Sequence, residues 1–277
     1  MRYHALLARA VTTALALVVL APAGRAQTLP ADGDSALARL NASPRHGEWV
    51  KVDAGGGDSV MAWVVYPERR DRAGVVVVIH EIYGLTDWVR AVADQLAAEG
   101  FIAIAPDLLS GKGPNGSGTP ADRQEAVRLV RELRPDEVTR RLGAAASYAT
   151  GLPAARTAVA SIGFCWGGST SFAFATSWPS LRGAVVYYGT APDSAALPRV
   201  AGPVLGVYGG DDARVTATVE PTRHAMSRLA KRYEARVYDG AGHGFLRDQA
   251  GRDGANRRAA QQAWPATIAF LRQVLGN

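Results

Sequence analysis

The sequence predicts an α/β fold, a mostly parallel central sheet with helices on both faces. Three observations carry that expectation. Residues 75–79 are five consecutive β-branched residues, the composition of a strand buried on both sides. After an opening pair of strand-like runs, helix-like and strand-like stretches alternate to the end of the chain. A glycine-rich hexapeptide, from Gly163 to Gly168, stands between one such strand and the helix after it.

The elements are read in chain order. Residues 48–52 and 60–66 read as an antiparallel edge hairpin, because Gly55-Gly56-Gly57-Asp58 is a turn signal between them. The buried strand 75–79 comes next. An amphipathic helix over 87–99 leads into the apolar strand 101–105, and helical periodicity covers 121–133 and 136–150. Then come strand 157–163, helix 168–178 and strands 183–188 and 203–208. Helix 219–232, strand 235–238 and a closing helix over 257–275 complete the alternation. Residues 110–120, rich in Gly, Ser and Pro, read as a mobile loop at the margin of the site. Residues 47–277 thus form one domain, preceded by an arm over 27–46 with a single helical turn.

Residues 1–26 read as a targeting segment. Arg2 and Arg9 open it, the stretch from Ala10 to Leu20 is apolar and uncharged, and Gly24-Arg25-Ala26 presents small residues for cleavage before Gln27. An uncharged core of eleven residues is short against the roughly 20 of a spanning helix, and Pro22 interrupts any continuation. The expectation is a signal peptide, a periplasmic or secreted enzyme, and no membrane span after processing.

Composition narrows the function. The formal charge of +6 loses Arg2, Arg9 and Arg25 and no acid on processing, leaving +3, too little to argue for nucleic acid. The chain has one cysteine, so no internal disulfide and no resolving thiol exist for a redox cycle. His46, His80 and His224 lack ligand spacing, and neither a metal nor any other cofactor is expected. A monomer is expected.

The lone cysteine sits in Gly163-Phe164-Cys165-Trp166-Gly167-Gly168, the strand-turn-helix nucleophile pattern G-x-S-x-G with Cys in the Ser position. Glycines flank so tight a turn because side chains there would strike the sheet or the helix. The helix N-terminus favours thiolate over thiol. Gly209-Gly210-Asp211-Asp212 comes after the strand 203–208, and Gly242-His243-Gly244-Phe245 after the strand 235–238. Nucleophile, acid and base therefore stand in order on loops at strand carboxyl ends. His243 can move the thiol proton, and a carboxylate can fix its tautomer.

Six segments in this order resemble the dienelactone hydrolase family of α/β-hydrolases over nearly the whole mature chain. They are His80-Glu81-Ile82-Tyr83-Gly84, Pro106-Asp107-Leu108, the cysteine hexapeptide, Tyr187-Tyr188-Gly189, the Gly209 to Asp212 segment and the His243 segment. The resemblance implies an α/β-hydrolase fold and a triad of Cys165, Asp212 and His243. Asp211 is the neighbouring alternative, ranked second because Val215 lies three residues after Asp212, as in the family pattern. It also gives Glu81 a place on the resting thiol and a part in its activation. The backbone N–H groups of Ile82 and Trp166 become the oxyanion hole. Arg247, Arg123 and Tyr188 become substrate contacts, the arginines for a carboxylate. Two departures stand out: Val127 and Val130 occupy positions where the type enzymes carry aromatics, and the aromatic-degrading members are cytoplasmic. The expected activity is hydrolysis of a small ester or lactone. A non-catalytic exported binding protein on the same fold is the alternative, disfavoured because all three triad positions are filled.

Overall fold

A computed structural model describes residues 28–276; the expected signal peptide over 1–26 lies outside the described residues. Helix α1 (Ala36–Asn41) precedes the hairpin β1 (Gly47–Gly55) and β2 (Asp58–Val65). Then come β3 (Ala73–Ile79), α2 (Asp87–Ala98), β4 (Ile102–Pro106), α3 (Arg123–Arg131) and α4 (Pro135–Thr150). The second half runs β5 (Ala155–Phe164), α5 (Trp166–Ser177), β6 (Leu181–Tyr187), β7 (Val204–Gly209), α6 (Ala213–Thr216), α7 (Val219–Arg228), β8 (Tyr233–Tyr238) and α8 (Ala255–Leu275).

One eight-stranded sheet has the order β1-β2-β4-β3-β5-β6-β7-β8. β2 pairs antiparallel with β1 and β4, and every other pairing is parallel. The chain has the α/β-hydrolase fold, as expected. Successive residues of a strand face opposite sides, and here that alternation divides the core in two. Val76, Val78, Ile162, Val185 and Val207 pack under α2 and α8. Val75, Val77, Ile79, Val159 and Val186 pack under α4 and α5. All seven residues of β3 are buried, which is why its sequence shows no polar alternation. Among the described residues no helix is long and apolar enough to cross a membrane.

Three departures from the sequence reading have physical causes. α7 stops at Arg228 rather than at 232. Its end is a Schellman closure, with Lys231 N–H donating to the Met226 carbonyl at 2.9 Å and Ala230 N–H to Ser227 at 2.9 Å. Ala230 takes φ +51°, the place where a glycine would have announced the stop. α6, four residues long, has no periodicity to read. The 110–120 loop is tied down rather than loose: the Thr119 hydroxyl and N–H both donate to the Asp107 carboxylate, at 2.7 and 2.8 Å. Thr119 Oγ1 also accepts from Leu85 N–H at 2.8 Å, joining this loop to the one that carries Glu81.

Candidate active site

The turn between β5 and α5 is built by close contacts that exclude side chains. A Cβ on Gly163 would lie 1.9 Å from the Gly167 carbonyl oxygen, and one on Gly167 would lie 2.2 Å from that of His80. On Gly168 it would meet the Tyr187 carbonyl oxygen at 2.4 Å. All three obstacles are backbone, so nothing can swing aside. Held this tightly, Cys165 takes φ +57° and ψ −117°, a conformation that non-glycine residues seldom keep without support. Its own N–H donates to the Tyr187 carbonyl at 3.0 Å, which ties the turn to β6. The thiol, half-buried, stands at the N-terminus of α5, where the helix dipole favours negative charge.

The loops after β7 and β8 bring the next two groups together. His243 Nδ1 lies 2.5 Å from Asp212 Oδ2, and Cys165 acts on the same imidazole. These interactions raise the His243 pKa from 6.5 to about 9, that with Cys165 contributing most, against the opposing effect of burial. The Asp212 carboxylate is largely covered, whereas Asp211 is exposed and pairs with Arg252 at 3.2 Å. Of the two adjacent carboxylates, only Asp212 reaches the imidazole.

Glu81 is buried, and burial pushes its carboxyl pKa up against the pull of Arg247, His243 and Arg123. Its Oε2 accepts from Arg247 Nε at 2.8 Å. The resemblance puts Glu81 on the resting thiol; here the guanidinium takes the carboxylate. Arg247 and Arg123 both lie over the Tyr83 ring, with guanidinium carbons 5.7 and 5.1 Å from its centroid. Arg123 also helps to line a cavity of about 470 Å³ with Tyr83, Val127 and Arg131. The loop carrying His243 and Arg247 is held from outside by the N-terminal arm. Gly33 N–H donates to the Arg247 carbonyl at 2.8 Å, and Gln249 donates to the Pro30 carbonyl at 2.9 Å.

Tyr188 is buried beside this cluster, its ring 5.1 Å from that of His243, and takes φ +40°. Its hydroxyl has no hydrogen-bond partner among the described residues, and burial holds the phenol far above its ordinary pKa. Ile82, Trp166 and Tyr188 line a cavity of about 200 Å³ around Cys165. Trp166 opens α5, where backbone N–H groups have no partner within the helix.

Sequence reasoning missed several residues of this region. Ser169, Thr190, Arg214 and Val215 also line the Cys165 cavity, and nothing in their local sequence marks them. His80, which opens one of the resembling segments but lacks the setting of a base, is fully buried there, stacked on Trp166 with ring centroids 5.5 Å apart. Its Nδ1 lies 2.8 Å from the Glu81 carbonyl oxygen, so Nδ1 carries the proton, and burial keeps the imidazole neutral. Val130 lies in a small core with Leu109, Ala126 and Leu129 rather than in a pocket.

The sequence profile of the dienelactone hydrolase family matches residues 60–275. A relative from Saccharolobus solfataricus is 30% identical over 252 residues, covering 79% of this chain and 95% of its own. One from Salmonella typhimurium is 33% identical over 237 residues, covering 80% and 85%. Both bear the name "Putative carboxymethylenebutenolidase". Among solved structures, one from Klebsiella pneumoniae described as a putative dienelactone hydrolase superposes with a TM-score of 0.73 at 27% identity. It covers 83% of this chain and 99% of its own.

Proposed function

The chain belongs to the dienelactone hydrolase family, and from that premise we propose that it hydrolyses a small carboxylic ester or lactone through a thioester acyl-enzyme. Cys165 is the nucleophile, His243 the general base and acid, and Asp212 the carboxylate that orients the imidazole. The observation that carries this reading is the 2.5 Å contact between His243 Nδ1 and Asp212 Oδ2, with Cys165 acting on the same imidazole.

In the acylation step the proton shared by Cys165 and His243 already stands on the imidazole, whose pKa is raised to about 9, and the sulfur attacks the substrate carbonyl carbon. Negative charge develops on the carbonyl oxygen, where the N–H groups of Ile82 and Trp166 receive it. As the C–O bond breaks, the imidazolium returns its proton to the leaving alkoxide. Water then attacks the thioester while His243 takes one of its protons, and collapse releases the acid and the Cys165 thiol. Asp212, fixed on Nδ1, keeps Nε2 free for each transfer.

His80 supports the same step from behind. Its Nδ1–H donates to the carbonyl of the Glu81–Ile82 peptide, whose opposite edge is the Ile82 N–H. A donor on the carbonyl side fixes the plane of that peptide and polarises its N–H. The positive cluster of Arg247 and Arg123 supports a substrate that carries a carboxylate, with Tyr188 as a further contact. The pattern of residues 1–26 supports export, which N-terminal sequencing of the mature protein would test.

A screen of p-nitrophenyl esters against unsaturated lactones, with Cys165→Ala as the blank, tests the reaction class. Turnover of neither class by the wild type would overturn it.

A further inference from the structure

A second cavity adjoins the one around Cys165. It has a volume of about 270 Å³, and α4, α5 and the segment after β6 wall it with Val138, Leu142, Ala173, Phe174 and Pro192. Among the described residues no charged side chain lines it. Trp166, Ser169 and Thr190 line both cavities, so the two share an edge. That edge is ordered: Thr190 N–H donates to Ser169 Oγ at 2.8 Å, and the two hydroxyls lie 3.2 Å apart.

Resting on the hydrolase reading above, we propose that this cavity is the acyl-chain subsite and that the enzyme selects esters of apolar acyl groups. The direction comes from the proton transfers. The leaving alkoxide must face His243 to be protonated, and no residue of the His243 loop lines the apolar cavity. The acyl substituent therefore points the other way, across the Ser169–Thr190 edge and past the Trp166 ring. Val127 borders the cavity that Arg123, Arg128, Arg131 and Glu132 help to line, and Val130 is packed in a core. A space lined by no charged side chain lies between α4 and α5.

The experiment compares p-nitrophenyl acetate, butyrate and hexanoate on the wild type, Ala173→Phe and Thr139→Phe. Thr139 lines the cavity from α4, so the two substitutions fill it from different helices, and circular dichroism identifies a variant that fails to fold. The wild type is expected to gain about fourfold in kcat/KM per added methylene, the gain from burying one CH₂. In the filled variants the hexanoate-to-acetate ratio collapses towards one. Calorimetric titration of Cys165→Ala with the same esters gives a reading that needs no turnover, and there hexanoate should bind more than about tenfold tighter than acetate. Filling the cavity by Ala173→Phe in that background should abolish the difference. If the wild type turns over no ester, the catalytic reading fails while the titration still decides the cavity. Turnover or binding indifferent to chain length, or a preference that survives in both filled variants, overturns the inference alone.

Discussion

Arg247 Nε donates to Glu81 Oε2 across 2.8 Å, joining two loops that lie 166 residues apart in the chain. Glu81 is buried, and the guanidinium works against the burial that pushes its carboxyl pKa up. Removing one partner of such a pair leaves the other unpaired and costs about 3 kcal/mol. Arg247→Ala should therefore lower Tm by on the order of 10 °C and impair carboxylate-bearing esters more than neutral ones. Combining it with Glu81→Gln should recover much of the Tm, because the buried charge is then gone. An Arg247→Ala protein with unchanged Tm and losses confined to anionic substrates would show that the guanidinium serves the substrate rather than Glu81.

His80 gives a separate handle on the proposed oxyanion site. His80→Phe keeps an aromatic ring against Trp166 and removes the donor to the Glu81 carbonyl. The expected loss is in kcat, bounded by the roughly 10²–10³ that an oxyanion donor contributes, with KM little changed. His80→Asn, which can still donate, should fall between the two. A variant series in which KM rises and kcat holds would assign His80 to packing around the substrate.

The two adjacent aspartates should separate cleanly. Asp212→Asn removes the charge on His243 Nδ1 and should lower kcat by several orders of magnitude. Asp211 makes an exposed pair with Arg252, and such pairs contribute about 0–1 kcal/mol. Asp211→Asn should leave kcat within a few fold of wild type, as steady-state kinetics on one ester will tell.

Much of this site was legible because glycine constraints act locally. Gly163, Gly167 and Gly168 are dictated by backbone oxygens within 2.4 Å of any added Cβ, so the turn writes itself into a short segment. The strands β3 and β4 were legible through burial on both faces, which leaves only apolar residues. Contacts made across the fold leave no such trace. The Glu81–Arg247 pair, the shared edge of Ser169 and Thr190, and the hold of Thr119 on Asp107 each join segments that local pattern cannot connect. The 110–120 loop reads as loose from its glycines, because the bonds that pin it are made by Thr119, Ser110 and Lys112 to other segments. The sequence over α7 reads as longer than the helix is, because Ala230 does in its closure what a glycine ordinarily does.

The charge state of His243 sets a pH dependence. Its pKa is raised from 6.5 to about 9 by its bonds to Cys165 and Asp212. The folded state therefore binds this proton more tightly than the unfolded chain does. The stability it contributes is fully present below about 6.5 and is lost as the pH rises through about 9. The same titration should give kcat/KM an alkaline limb near pH 9, where the imidazolium that protonates the leaving group disappears. Asp212→Asn should move that limb to lower pH. A profile flat to about pH 10 would contradict the assignment.

In the proposed mechanism every acyl group passes through Cys165. The direct measurement is to mix the enzyme with a p-nitrophenyl ester, quench in acid within the first turnover, and map the peptides by mass. The expected result is one acyl increment on the peptide carrying Cys165, absent from Cys165→Ala, which should also lack turnover. An acyl increment on a different residue, or sustained hydrolysis by Cys165→Ala, would contradict that mechanism.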